Sequence, residues 1–228
     1  MSLFIALEGA DASGKFSQTK RLEKYYTSVG KRVIRFAMPE YESISGEMVA
    51  GYLKADWTAI LSPDADVKKY TKSVSSYAFQ CCHLVNKLES MPESLWRRKP
   101  FAADGPDDDI VFIADRFNAS AYAYGHAAGV DVDWLINVYR HLPQPDINIY
   151  LDIPIEESFR RRPERRDEYE KNSALLERVR NSYIDIFKKL DVGGTYNIID
   201  ANCDEEAVFQ KLLIELISFE NMRCRRGR

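Results

Sequence analysis

The sequence of 228 residues has no surplus of positive charge: 32 lysines and arginines face 35 aspartates and glutamates, a net charge of −3. A protein that holds nucleic acid through its overall field carries the opposite sign, so general capture of DNA or RNA is not expected. A phosphorylated ligand would have to be drawn by a local basic cluster. Cysteine is sparse, and Cys81, Cys82, Cys203 and Cys224 form no Cys-x-x-Cys pair, so neither a zinc site nor a dithiol redox motif is expected. Reduced thiols in a cytoplasmic protein are the expectation. No apolar run approaches the roughly twenty residues of a spanning helix, and no signal peptide precedes the first apolar run, so no membrane association is expected. Internal repeats and long linkers are absent too. With 45% hydrophobic and 29% charged residues, the chain reads as one globular domain over 1–228.

What is present is an alternation of short apolar runs and amphipathic stretches. Leu3–Leu7, Arg32–Phe36, Ile110–Ala114, Ile147–Leu151 and Tyr196–Ile199 read as strands. Helices are predicted over Lys15–Val29, stopped by Gly30, and over about Asp66–Ser90, Asp133–Tyr139, Lys171–Leu190 and Glu205–Phe219. Such alternation implies an α/β fold, with a parallel sheet covered by helices on both faces and a ligand site at the carboxyl ends of the strands. Residues 97–109 hold two prolines and a Gly-Pro step and read as a loop or insertion. Its Asp107-Asp108-Asp109 run suits a solvated turn better than a metal site.

Gly9-Ala10-Asp11-Ala12-Ser13-Gly14-Lys15 fits G-x-x-x-x-G-K between the first strand and the first helix. Backbone N–H groups of such a loop cradle polyphosphate, the helix N-terminus favours negative charge, and Lys15 can reach the β/γ oxygens of ATP. The next position usually carries a Ser or Thr hydroxyl that ligates Mg²⁺; here it is Phe16, which cannot. Ser17 has a hydroxyl, but one residue along a helix turns it by about 100°.

With the loop and later segments placed, the chain resembles the thymidylate kinases over nearly its whole length. The matching segments are Phe4–Gln18, Pro39–Gly46 running into Tyr52-Leu53, and Asp115–Tyr124. They continue with Leu142–Asp146, Tyr150–Pro154 and an Arg-rich stretch, Arg160-Arg161-Arg162-Pro163-Glu164-Arg165-Arg166. The resemblance implies a P-loop fold with a five-stranded parallel core and an Arg-rich lid at about 158–170. It also implies ATP as donor, Mg²⁺, a deoxynucleoside-monophosphate acceptor and a homodimer.

By the same resemblance Arg116 grips the acceptor phosphate, where a planar guanidinium suits bidentate contact. Asp115 would orient a magnesium-bound water or the acceptor. Asp11 would face the acceptor's 3′-hydroxyl, and Tyr124 would crowd the 2′ position. Ser120, Pro39 and Tyr169 complete the implied acceptor contacts. A lid arginine, Arg162 or Arg166, would fold over the transferring phosphoryl. Two positions depart from the family. Tyr41 stands where an arginine commonly binds the monophosphate, and Cys81 stands where an arginine commonly bonds the base. Gln80 could read a pyrimidine edge instead, with Tyr77 or Phe79 stacking. The reading is thymidylate kinase activity on dTMP. The alternatives are a kinase for another or modified dNMP such as 5-hydroxymethyl-dUMP, a P-loop kinase acting on a nucleoside or a base within DNA, and a nucleotide-binding relative with weakened catalysis.

Overall fold

The computed structural model describes residues 2–54, 75–98, 109–164 and 172–226. Five strands, β1 (Leu3–Gly9), β2 (Arg32–Ala37), β3 (Ile110–Asp115), β4 (Ile147–Asp152) and β5 (Tyr196–Asp200), form one sheet in the order β2-β3-β1-β4-β5. Every pairing is parallel, and Leu7 stands opposite both Asp115 of β3 and Ile149 of β4. The described helices are α1 (Lys15–Ser28), α2 (Ile44–Lys54), α3 (Ser76–Ser90), α4 (Glu93–Trp96), α5 (Asn118–Ala127), α6 (Val132–Tyr139), α7 (Ile155–Arg161), α8 (Ser173–Leu190) and α9 (Glu205–Arg226).

The period of two along β1 explains the layering. Phe4 and Ala6 join a core built with Phe112, Tyr150 and residues of α5, α6 and α8. Leu3, Ile5 and Leu7 point the other way, onto Leu22 and Tyr26 of α1 and Leu212 and Leu216 of α9. A central strand buried on both faces therefore reads as a continuous apolar run. The exception is Glu8, which is fully buried at the end of that run.

The five predicted strands are present and mostly one residue longer. Helices α2, α4, α5 and α7 were not predicted: each is short, and α5 (Asn-Ala-Ser-Ala-Tyr-Ala-Tyr-Gly-His-Ala) has too little polar contrast to show a helical period. The predicted start of the long helix at Asp66 lies outside the described residues, where α3 begins at Ser76, capped by the Ser75 hydroxyl accepting from the Ala78 N–H at 3.2 Å. Most of the 97–109 segment lies outside them as well; Asp109, at its end, pairs with Lys31.

Candidate active site

The strand order switches at β1, with β3 and β2 on one side of it and β4 and β5 on the other. A crevice therefore opens above the carboxyl end of β1, where the P-loop leaves the sheet. Gly9 is required by close approach: a Cβ there would fall 2.4 Å from Ser13 Oγ and 2.9 Å from the Leu151 carbonyl. Gly14 turns the chain into α1 at φ 95°, in the left-handed region that favours glycine. Lys15 folds back and donates from Nζ to the carbonyls of Ala10 (2.8 Å) and Gly9 (3.2 Å). Burial, aided by the Arg116 charge, lowers its pKa to about 8 against the opposing pull of Asp115, Asp11 and Glu8.

Helix α7 is fastened to this loop. The Ser158 hydroxyl donates to the Asp11 carbonyl at 2.7 Å. Arg161 donates to the Ala201 carbonyl at 3.0 Å, to the Ala12 carbonyl at 3.4 Å and to Glu157 at 2.6 Å. Of the predicted lid arginines, Arg162 lines the central cavity, whereas Arg160 is spent on Glu157. Arg166 and Tyr169 lie outside the described residues.

At the end of β3, Asp115 and Arg116 enter the same crevice. Arg116 has φ 65°, a left-handed conformation in a residue with a full side chain. Its N–H donates to the Leu7 carbonyl at 2.9 Å, which holds the turn against β1. The guanidinium donates to Asp11 Oδ1 at 3.0 Å and to Ser120 Oγ at 3.5 Å, 5.5 Å from the Tyr124 ring. Glu8 braces this arrangement from below. One of its oxygens accepts the Phe117 N–H at 2.8 Å; the other accepts the hydroxyls of Ser120 (2.5 Å) and Tyr183 (3.1 Å). The Ser120 hydroxyl is thus committed to the scaffold before any ligand arrives. The Met38 N–H donates to the Asp115 carbonyl at 2.9 Å and places the loop after β2, with its cis Met38-Pro39 bond, beside the site.

These elements enclose a cavity of about 1050 Å³. Its walls include Asp11, Ala12, Gly14, Lys15, Phe16 and Ser17 on the P-loop side. Asp115, Arg116, Ser120 and Tyr124 line it as well, as do Pro39, Tyr41 and Gln80. Gly9, Ala10 and Ser13 build the loop behind the wall. Phe16 is 58% exposed, with Lys20 Nζ 4.3 Å from its ring and the Arg35 guanidinium 5.9 Å from it.

Two expected acceptor residues are not brought here. Cys81 is exposed away from the cavity, and Tyr77 packs edge-on against Trp134 with its hydroxyl 3.3 Å from the Asp131 N–H. The cavity face of α3 is Phe79 and Gln80, both expected there, together with His83 and Lys87. Two residues along a helix is a rotation of about 200°, so a face that presents Phe79 turns Tyr77 and Cys81 outward.

His83, Lys87 and Glu8 were missed in the sequence. Gln80, His83 and Lys87 fall at i, i+3 and i+7, a polar stripe on a helix whose neighbours are apolar, and that spacing was the available signal. Burial, together with the charges of Lys87 and Arg116, pushes the His83 pKa down to about 3, so its imidazole is neutral at physiological pH. Phe79 stacks on Tyr52, with ring centroids 3.8 Å apart. Among the described residues the buried Gln80 Oε1 has no hydrogen-bond partner.

Residues 105–212 match the family model for thymidylate kinase. Over 93% of its length the chain is 30% identical to a probable thymidylate kinase of Pyrococcus horikoshii, covering 98% of that protein. It is 29% identical to a thymidylate kinase of Thermosipho melanesiensis over 92% of this chain and 95% of that one. A solved thymidylate kinase structure from Candida albicans has the same fold, with a TM-score of 0.73 at 20% identity, covering 96% of this chain and 93% of that chain.

Proposed function

This chain belongs to the thymidylate kinase family, and on that premise we propose that it transfers the γ-phosphoryl group of ATP to dTMP, giving ADP and dTDP. One observation carries the reading: Lys15, Asp115, Arg116 and Arg162 converge on a single cavity whose far wall is polar and aromatic. Phosphoryl transfer asks a protein mainly for positioning and charge neutralisation, and this set supplies both. The P-loop amides and Lys15 hold the donor's phosphates. An acceptor phosphate oxygen forms a bond to Pγ while the bond from Pγ to the β–γ bridging oxygen breaks, and ADP departs with those electrons. Arg116 holds the acceptor phosphate in line, and Arg162 faces the charge that spreads over the transferring group. Asp11 and Tyr124 border the acceptor sugar; Phe79 and Gln80 border its base.

The donor atoms present suit Mg²⁺. The Asp115 carboxylate, a hard oxygen donor, lines the cavity together with the P-loop residues, and its charge acts on Lys15. Mg²⁺ keeps several waters and takes one or two carboxylates besides substrate phosphates, so the loss of a hydroxyl at Phe16 leaves a usable site. The ion, when bound, neutralises charge on the β- and γ-phosphates.

The quaternary reading is a homodimer: Cys81, Val85 and Leu88 form an exposed apolar stripe at i, i+4 and i+7 on α3, with Met48 of α2 also exposed. Four free cysteines suit a reducing cytoplasm. Among the described residues no helix is long and apolar enough to cross a membrane.

A coupled assay of ADP release with ATP, Mg²⁺ and a panel of dNMPs tests the activity. Fastest turnover on dTMP is expected. Absence of turnover on every monophosphate, with ATP still bound, would leave a nucleotide-binding protein; preference for 5-hydroxymethyl-dUMP would move the substrate to a modified pyrimidine, which the polar Gln80–His83 wall could also receive.

A further inference from the structure

Helix α3 turns a cation into the cavity that the reading above does not use. Lys87 is 3% exposed and lines the cavity. Its ammonium sits 5.2 Å from the centre of the Tyr139 ring. Among the described residues no carboxylate forms an ion pair with it. The fixed negative charge that acts on it is Glu8, but the oxygens of Glu8 already accept from the Phe117 N–H and from the Ser120 and Tyr183 hydroxyls. An ammonium buried without a counter-ion is costly, and burial accordingly lowers the Lys87 pKa to about 8.

The turn of α3 that carries Lys87 is held in place from its other side. Neighbouring Asn86 accepts from the Glu40 N–H at 2.9 Å and donates to the Glu40 carbonyl at 2.9 Å, which pins this turn of α3 to the loop containing Pro39 and Tyr41. A buried cation on a ligand cavity, with no counter-ion among the described residues, is suited to an anion that arrives with the ligand.

We propose that Lys87 is a second cationic contact to the 5′-phosphate of the acceptor nucleotide, acting together with Arg116. This rests on the assignment of the acceptor to this side of the cavity. A phosphate monoester carries about −1.5 to −2 charges at neutral pH, which two full cations balance and one does not. His83 feels both cations and stays neutral, so it does not add a third charge to the pair. Lys87 lies seven residues beyond Gln80, roughly 10 Å along the helix axis, a span that lets one face of α3 reach both the base and the phosphate of a single nucleotide. A pyrimidine carbonyl, being uncharged, would not balance a buried ammonium.

The test compares wild type, Lys87→Met and Lys87→Arg in calorimetric binding of dTMP and of thymidine, with the KM for ATP as a check on the fold. Lys87→Met is expected to weaken dTMP by about ten- to a hundred-fold, the scale of a charge-assisted hydrogen bond, and to leave thymidine and ATP unchanged. Lys87→Arg should recover most of the dTMP affinity. Equal losses on dTMP and thymidine would assign Lys87 to the base or to the scaffold and overturn the proposal, as would unchanged dTMP binding. If Lys87→Met does not fold, Lys87→Arg and Lys87→Gln carry the same comparison. Should dTMP prove not to be the substrate, the reading of activity fails alone, because each bound nucleotide and its dephosphorylated nucleoside still report on Lys87.

Discussion

Arg116 offers a way to separate the stability of this protein from its activity at one position. Its backbone is left-handed, φ 65°, and its guanidinium points into the cavity toward Asp11 and Ser120. Arg116→Ala removes the guanidinium and keeps the strained backbone; Arg116→Gly removes both. A left-handed residue with a Cβ costs about 1–2 kcal/mol. Glycine gives back about 0.5–1 kcal/mol of that through the greater freedom of its unfolded chain. The glycine variant should therefore be the more stable of the two by about 0.5–1 kcal/mol, a few tenths of a molar in urea midpoint at the slopes usual for chains of this size. Activity should not follow. Two charge-assisted bonds to a phosphate are worth roughly 1.5–3 kcal/mol each, so both variants should lose about 10²- to 10⁴-fold in kcat/KM for the acceptor. Paired urea titrations and initial rates measure the two effects. An alanine variant as stable as the glycine variant would show that the turn stores no strain. Either variant within ten-fold of wild-type kcat/KM would show that Arg116 does not grip the acceptor.

Four further outcomes are expected. Lys15 titrates near 8, so kcat/KM for ATP should fall as pH rises through that value; a profile flat to pH 9.5 would contradict the buried placement. Because its folded pKa lies below the unfolded 10.5, the unfolded chain binds more protons from about pH 8 upward and stability should rise with pH in that window, less so in Lys15→Met. Glu8→Ala should cost about 3 kcal/mol or more in urea denaturation by stranding the Phe117 N–H and two hydroxyls, whereas Glu8→Gln should cost much less, because the Ser120 and Tyr183 hydroxyls can reverse their donors. Equal costs for the two would mean that these bonds are not what Glu8 contributes. Phe16→Thr should lower the Mg²⁺ concentration needed for half-maximal rate, and an unchanged magnesium titration would show that the ion does not depend on that position.

Much of this protein is local, and what is local was legible in the residues. Apolar runs buried on both faces, a glycine loop between the first strand and helix, and an Asp-Arg pair closing the third strand each occupy a few consecutive positions. The parallel sheet, its ligand edge and the placement of Lys15, Asp115 and Arg116 follow from those runs and from the rule for where α/β sheets bind. The face of α3 that lines the cavity does not follow. A shift of two residues turns the side chain by about 200°, and only packing on α2 and α5 selects Phe79, Gln80, His83 and Lys87 over Tyr77 and Cys81. Glu8 reads as the end of an apolar strand until the fold brings Phe117, just before α5, Ser120 of α5 and Tyr183 of α8 around its carboxylate. The charge state of a buried lysine is decided in the same way. Lys15 and Lys87 are ordinary cations in the chain, and their lowered pKa values arise from burial, a property of the closed cavity that no stretch of sequence carries by itself.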